Sequence, residues 1–493
     1  MDDQRVRMHA RPRSRRRTPR VVAVVLLVLV AAVSVATVAV TSGALPNGSI
    51  AGVATAALTP AATLTAVGVS TPSPSSAAAS ATPAVSSSVA PGPTASPAAN
   101  PSAGPTANEH VCLSGRPVAD LARTDPARAA LLQKALNKVR AATFVPGVSV
   151  AIVWDNGASW AGASGLADVA ARTPVTASTG FALASISKTF TAAVILQLVG
   201  EGRLGLDQWV APLLPAFGLD PRITVRMLLD HTSGLPDFIL TKAADKALGD
   251  SNAVWDAAKS WSFVPKFHRV PGTSFDYSNT NYVLLGELIR SVTGNAPSVE
   301  IRARLLKPLG LAHAWFQQDE KPLAPLPASY VLRWYGGPPV AKLIAPAGDV
   351  VPFRSVVTAT GAAGSMAATA LDTARWMNAL GSGRVLPPEM VAAMQADEAN
   401  TAALGANLTY GLGISTVKVA GHIAIGHSGR YLGARNVVRY LPDLHLSIAV
   451  LTNQSEIDPA YIAAIVVRAL VAGGTEMPLL TEPVCNPTGP WRI

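Results

Sequence analysis

Hydrophobic positions along the chain follow three different patterns in succession. Residues 21–41 are almost entirely apolar, whereas residues 42–108 show neither the 3.6-residue repeat of a helix nor the alternation of a strand. Apolar positions recur with helical and strand periods only in residues 109–493. The pattern therefore predicts an apolar segment, an unstructured linker and one large folded domain.

The periodic part of the chain predicts strands near both of its ends and helices in between. Helices are expected at 125–141 and 459–471, and a turn at Asp155-Asn156-Gly157 joins two of the strands into a hairpin. The predicted strands are 148–154, 159–167, 422–427, 435–440 and 446–451. We therefore expect an α+β fold, in which an antiparallel sheet built from both chain ends is flanked by helices. A mostly helical subdomain is inserted over about 190–395.

The segment 21–41 is long enough to cross a bilayer. Twenty helical residues span roughly 30 Å, the thickness of the hydrocarbon core. The basic segment 1–20 holds eight arginines and is expected to stay in the cytoplasm. This predicts a single-pass protein of the cell membrane whose folded domain is extracytoplasmic. The alternative is a signal peptide cleaved near Ala44, after which the domain is secreted.

Residues 42–108 are rich in Ala, Ser, Pro and Thr and contain no charged residue. Frequent prolines oppose both helix and strand, and the segment has too few large apolar residues to form a core. We predict an extended linker that reaches roughly 200 Å at about 3.1 Å per residue.

Charge and cysteine content exclude several classes of protein. The 493 residues carry a formal charge of +10, but residues 1–20 account for +6 of it and leave +4 for the rest. A basic face on the domain is therefore not implied, and we expect no nucleic-acid partner. Two cysteines are too few for a disulfide-stapled mini-protein or a cysteine-rich zinc module. Cys112 and Cys485 flank the domain, and in an exported protein this placement predicts one disulfide that closes the chain ends; the alternative is two free thiols.

Ser185 and Lys188 form a Ser-x-x-Lys motif at the start of a predicted helix. Residues three apart share a helix face, so the amine can approach the hydroxyl. A desolvated lysine has a lowered pKa and can act as a base. Ser415 and Lys418 repeat the motif, but in a strand-like stretch with no helix after it, and we assign them no catalytic role.

Two further motifs carry groups suited to catalysis or binding. Tyr277-Ser278-Asn279 offers a tyrosine that can relay a proton and an amide that can bind substrate, although it also fits a loop with an N-cap. His427-Ser428-Gly429-Arg430 ends a predicted strand, where glycine permits close approach of a second backbone. The segment 426–430 does not form the Gly-x-Ser-x-Gly elbow of α/β-hydrolases, because Arg430 stands where that motif requires its last glycine.

In this order the three motifs resemble those of the serine β-lactamase and penicillin-binding superfamily. The chain is most similar to its class C β-lactamase and D-alanyl-D-alanine carboxypeptidase branch, peptidase family S12, which also includes esterases. The resemblance covers about residues 130–472 and implies a β-lactamase/transpeptidase-like fold. The segments of this chain that resemble the family are 181–206, 228–236, 271–279, 305–311, 361–380 and 410–453.

The resemblance implies an acyl-enzyme mechanism without a metal or cofactor. Ser185 is the implied nucleophile, and Lys188 and Tyr277 share the role of base, with the order between them left open. Asn279 is expected to hold the acyl amide. His427, Ser428 and Gly429 are expected to line the substrate, with His427 facing its carboxylate. Backbone N–H groups of Ser185 and Arg430 form the implied oxyanion hole.

Two histidines bear on the expected activity. Many β-lactamases carry lysine where this chain has His427, and a mostly neutral imidazole binds a carboxylate more weakly. In the family that this chain resembles, the segment around His231 is a structural loop, so we assign that histidine a structural role.

We therefore expect a monomeric serine hydrolase, most similar to a D-alanyl-D-alanine carboxypeptidase or an esterase. Its partners are a peptide, ester or β-lactam substrate and, through residues 21–41, the membrane. The alternatives are a slowly acylated penicillin-binding sensor or scaffold of the cell wall, and a true β-lactamase.

Overall fold

The computed structural model describes residues 125–266, 269–396, 401 and 408–472. The predicted basic, apolar and linker segments of residues 1–108 lie outside this part, as do Cys112 and Cys485, so their predicted disulfide does too. No helix within the described ranges combines the length and apolar character that a membrane crossing needs.

Thirteen strands and eleven α-helices are assigned in the described residues. The strands are β1 Gly147–Trp154, β2 Ser159–Asp168, β3 Thr173–Pro174, β4 Gly180–Ala182, β5 Ala314–Phe316, β6 Ser329–Arg333, β7 Val340–Ala345, β8 Met366–Thr369, β9 Thr409–Tyr410, β10 Ser415–Val419, β11 His422–Tyr431, β12 Ala434–Leu441 and β13 Leu446–Thr452. The helices are α1 Pro126–Thr143, α2 Ser187–Gly200, α3 Val225–Leu229, α4 Lys242–Leu248, α5 Ala257–Trp261, α6 Asn279–Thr293, α7 Pro297–Ile301, α8 Arg354–Thr360, α9 Ala370–Gly381, α10 Pro388–Ala396 and α11 Pro459–Ala472.

The main sheet joins the two ends of the domain, which confirms the predicted α+β fold. Its antiparallel strand order is β3-β2-β1-β13-β12-β11-β10-β9. Strand β1 pairs with β13, so that Val148 lies opposite Thr452. The five predicted strands form its centre, and the short strands β3, β9 and β10 extend it.

The middle of the chain contains helices, loops and several strands that the sequence pattern did not indicate. Strands β4, β8 and β5 form a three-stranded sheet, and β6 pairs with β7 in a hairpin. These strands have only three to six residues. So few residues give too little periodicity to distinguish a strand from a loop.

Two apolar layers cover the faces of the main sheet. Because side chains alternate along a strand, Val150 faces the layer that contains Leu136 of α1 and Val466 of α11. Its neighbour Ala151 faces the larger core, which contains Phe190 of α2. Helix α2 is consequently almost entirely buried between the sheet and the helical region, which fixes the position of its first turn.

Candidate active site

Ser185 lies on a tight turn that precedes α2. The turn is the 3-10 segment Ala184–Ile186, and α2 itself begins at Ser187. Ala184 has a φ of 50°, in the left-handed region that residues with a Cβ rarely adopt. The side chains of Ala184 and Ile186 are buried, whereas Ser185 is half-buried. The turn therefore leaves the Ser185 hydroxyl accessible at the edge of a packed core.

Lys188 is fully buried one turn further on, and its ammonium has three hydrogen-bond acceptors. Nζ lies 3.1 Å from the hydroxyl oxygen of Ser185, 2.7 Å from Oδ1 of Asn279 and 3.0 Å from the carbonyl oxygen of Ala363. Burial lowers the pKa of Lys188 from 10.5 to about 7, against the opposing effect of the Asp237 carboxylate. A large fraction of this amine is therefore neutral near pH 7.

Tyr277 lies in the loop before α6, beside both members of the Ser-Lys pair. Its ring centre is 5.0 Å from Nζ of Lys188. Burial raises the pKa of Tyr277 well above its usual range, and a hydrogen bond to Ser185 acts in the opposite direction. The phenol is therefore neutral and can pass on a proton without carrying a charge at rest.

His231 contacts the loop that carries Tyr277 through a hydrogen bond and through ring packing. Its φ of 64° is again left-handed, and its Nδ1 accepts a hydrogen bond of 3.2 Å from the backbone N–H of Ser278. The imidazole packs on the Tyr277 ring with 4.2 Å between ring centres. Burial lowers the pKa of His231 well below its usual value. A neutral His231 is thus placed to position the Tyr277-Ser278-Asn279 segment.

Asn279 begins α6 and connects Lys188 to a buried carboxylate. Its Oδ1 accepts from Nζ of Lys188, and its Nδ2 donates to Oδ2 of Asp237 at 2.8 Å. Asp237 is 8% exposed, and its Oδ1 accepts from the backbone N–H of Ile239. Burial raises the pKa of Asp237 to about 6.

Strand β11 supplies the opposite wall of the site. Its pairing with β10 ends at Gly426, whereas its pairing with β12 continues to Tyr431. A Cβ on Gly429 would lie 2.0 Å from the carbonyl oxygen of Leu183 and 3.2 Å from the backbone nitrogen of Ser185. Glycine is therefore required here for β11 to approach the serine turn.

His427 is buried, and both of its ring nitrogens have partners in the protein. Nδ1 contacts the carbonyl oxygen of Ser428, which can only accept, so this nitrogen carries the proton. Nε2 then accepts from the Tyr410 hydroxyl at 3.0 Å. Burial, followed by the nearby Lys188 charge, lowers the pKa of His427 to about 3. The imidazole is therefore neutral at pH 7.

Ser428 is half-buried and Arg430 is exposed. The charged side chains near the Arg430 guanidinium are those of Arg435, Glu456 and Asp458.

A cleft of about 250 Å³ lies between the serine turn, α6 and β11. It is lined by Ser185, Ile239, Asn279, Thr360, Ala363, Gly364, Arg430 and Tyr431. The three predicted motifs therefore meet at one place, although more than 240 residues separate the first from the last.

Three groups at the site were assigned no role from the sequence, although two of them, Ala363 and Tyr410, lie in the segments 361–380 and 410–453 that resemble the family. Asp237, Tyr410 and the carbonyl of Ala363 each contact a predicted residue, but none belongs to a spaced motif. Asp237 directly follows the 228–236 segment, which is the one pointer to it. In the second Ser-x-x-Lys motif, the Ser415 hydroxyl donates to the carbonyl oxygen of Gly426, so it serves the strand pairing.

Within residues 125–266, 269–396, 401 and 408–472, no three His, Cys, Asp or Glu residues cluster closely enough to hold an ion.

Comparison with known proteins finds similar chains among curated proteins and solved structures. Among curated proteins, Protein flp of Staphylococcus aureus is 34% identical over 180 residues, which is 36% of this chain and 36% of its own length. The chain thus spans about a third of that relative. The D-aminopeptidase of Cereibacter sphaeroides is 28% identical over 352 residues, or 69% of this chain and 62% of the relative.

Solved structures extend the comparison to most of the domain. D-amino acid amidase from Ochrobactrum anthropi superposes with a TM-score of 0.60 and 25% identity, over 70% of this chain and 99% of that one. A D-stereospecific amidohydrolase from Streptomyces gives 0.58 and 27% over the same shares. The family profile described as Beta-lactamase matches residues 132–472. The chain belongs to the beta-lactamase family, within the superfamily of serine hydrolases that includes the penicillin-binding proteins.

Proposed function

We propose that this protein is a serine amidase or peptidase that forms an acyl-enzyme on Ser185 and acts on small amides or short peptides of D-amino acids. The observation that carries the proposal is the 3.1 Å contact between the Ser185 hydroxyl and the buried amine of Lys188. A lysine with a pKa of about 7 is a base matched to neutral pH.

In the acylation step, the Ser185 oxygen attacks the substrate carbonyl carbon and neutral Lys188 takes the hydroxyl proton. The carbonyl oxygen becomes an oxyanion, which backbone N–H groups of Ser185 and Arg430 stabilise. The close approach of Gly429 to the Ser185 backbone supports this arrangement, because it brings β11 alongside the serine turn.

The collapse of the tetrahedral intermediate breaks the bond to the leaving amine. The amine takes a proton that Lys188 delivers, directly or through the neutral Tyr277 hydroxyl, and departs. Water then attacks the acyl carbon and gives a proton to the same base pair. As the ester bond breaks, that proton passes to the Ser185 oxygen, which restores the hydroxyl and neutral Lys188 and releases the carboxylic acid.

The choice of substrate rests on the relatives and on the cleft. Two of the relatives are described as a D-aminopeptidase and a D-amino acid amidase. The cleft beside Ser185 is lined by apolar groups such as Ile239 and by polar groups such as Asn279, which suits a small amide. Efficient β-lactam turnover is disfavoured, because neutral His427 has both nitrogens engaged by the protein.

The test compares release of p-nitroaniline from D-alanine and L-alanine p-nitroanilides, together with p-nitrophenyl acetate and nitrocefin. We expect the highest kcat/KM on the D-amide and none in Ser185→Ala. The matched control is Ser415→Ala, which alters the second Ser-x-x-Lys motif and should retain activity. A burst of one product per protein, without turnover on any substrate, would instead favour the slowly acylated sensor or scaffold.

We further propose that the domain works outside the cytoplasm, because the basic segment 1–20 precedes the apolar segment 21–41. Protease treatment of intact cells that express the full chain should degrade the domain while a cytoplasmic marker survives. Equal protection of both proteins would contradict export.

A further inference from the structure

We propose that Asp237 is a positioning residue for catalysis: through the Asn279 amide it directs the lone pair of Lys188 at the Ser185 hydroxyl. This inference deepens the proposed function and rests on it. It arises from the hydrogen-bonded chain Asp237–Asn279–Lys188–Ser185, whose three links measure 2.8, 2.7 and 3.1 Å.

The first step of the argument concerns what Lys188 requires in order to act as a base. A neutral amine has two N–H donors and one lone pair, and the lone pair must face the Ser185 hydroxyl proton. The two other partners of Nζ are Oδ1 of Asn279 and the carbonyl oxygen of Ala363. Both are acceptors only, so they engage the two N–H groups and leave the lone pair for Ser185.

The second step concerns the orientation of the Asn279 amide. If this amide were flipped, its NH₂ group would face Lys188 and compete with Ser185 for the lone pair. The Asp237 carboxylate prevents the flip, because an ionised carboxylate accepts hydrogen bonds and cannot donate them. It therefore requires the NH₂ group on its own side and keeps Oδ1 on the side of the lysine.

The third step concerns charge around the pair. The titratable side chains that face Asp237 and Lys188 are His231, Tyr277, Tyr282 and His427. Burial keeps both histidines neutral near pH 7, and both tyrosines are neutral there because their pKa is already high and burial raises it further. Asp237 is thus the charged neighbour of Lys188 in this group, and it raises the lysine pKa against burial.

The test combines kinetics with a direct titration. Asp237→Asn removes the charge and has a single side-chain acceptor, so it keeps the hydrogen bond from the Asn279 amide only by giving up the one from Ile239 N–H. Without this negative charge the pKa of Lys188 falls. Coulomb's law at an effective dielectric constant of about 20 predicts that the midpoint of the acidic limb of the kcat/KM profile moves to lower pH by roughly one to two units. Asp237→Ala also removes the acceptor that holds the Asn279 amide, so the amide can flip and its NH₂ group can compete for the Lys188 lone pair. We therefore expect at least a tenfold loss of kcat/KM on the alkaline plateau. The conservative variant Asp237→Glu should recover part of that plateau.

Asp372→Asn is the matched control. This carboxylate is also buried, and it accepts from the backbone N–H of His313 and from Arg375 rather than from a residue of the site. The loss of the Asp372 charge should lower the free energy of unfolding and leave the midpoint of the acidic limb of kcat/KM unchanged from the native protein. An unchanged limb in Asp237→Asn, or the same shift in Asp372→Asn, would overturn the inference.

A titration of Lys188 in the Ser185→Ala protein needs no turnover, so it separates this inference from the proposed function. The Cε resonance of ¹³C-labelled lysine, assigned with Lys188→Arg, should titrate in two coupled steps near pH 6 and 7. The lower step should disappear in Asp237→Asn. A single step that is identical in the Ser185→Ala protein with and without the added Asp237→Asn substitution overturns the role of Asp237, whatever the substrate proves to be. This titration does not use Asp237→Ala, so its outcome holds even if that variant does not fold.

Discussion

The pH dependence of acylation follows from the burial of Lys188. Because burial lowers its pKa from 10.5 to about 7, about three-quarters of the amine is neutral at pH 7.5, against about one in a thousand for an unperturbed lysine. Only the neutral amine accepts the Ser185 proton. The acylation rate should therefore rise about tenfold per pH unit below pH 7 and level off above about pH 8.

Stopped-flow measurement of the p-nitrophenol burst between pH 5.5 and 9.5 reports this rate. Lys188→Ala should abolish the burst, since Ser185 then has no adjacent amine. Lys418→Ala is the matched control: it changes the exposed lysine of the second Ser-x-x-Lys motif and should leave the profile unchanged. A profile that is flat over this range, or whose midpoint lies near pH 10, would refute the assignment of Lys188 as the base.

Three substitutions test the supports of the site. Gly429→Ala places a Cβ 2.0 Å from the Leu183 carbonyl oxygen, and the resulting shift of β11 should lower kcat/KM about 100-fold; unchanged kinetics would contradict the close approach. Tyr410→Phe leaves the buried Nε2 of His427 without its donor, and urea denaturation should show a loss of about 1–3 kcal/mol. Trp376→Ala empties a fully buried site in the core, and the unfolding free energy should fall by about 3–5 kcal/mol; a loss below about 1 kcal/mol would argue against that packing.

The sequence allowed the central sheet and the principal motifs to be predicted for clear physical reasons. The strands that the ends contribute have enough residues for their alternation to be recognised, and β1 pairs with β13 as that arrangement requires. Ser185 and Lys188 are three residues apart, so local helical geometry alone brings them together.

The contacts that complete the site depend on tertiary structure and could not be derived in this way. Asp237 and Asn279 are 42 residues apart, and no periodicity links them. His427 was expected to face a substrate carboxylate, and that role remains a prediction. The structure adds that its charge state depends on burial and on the nearby Lys188 charge, neither of which the motif around His427 reports.

The most direct test of the central claim is the intact mass of the protein after brief exposure to a fluorescent penicillin or an activated D-alanyl ester, followed by peptide mapping. We predict one acyl group per protein, located on Ser185 and absent from Ser185→Ala. No adduct on the native protein, or an adduct that persists in Ser185→Ala, would contradict an acyl-enzyme on this serine.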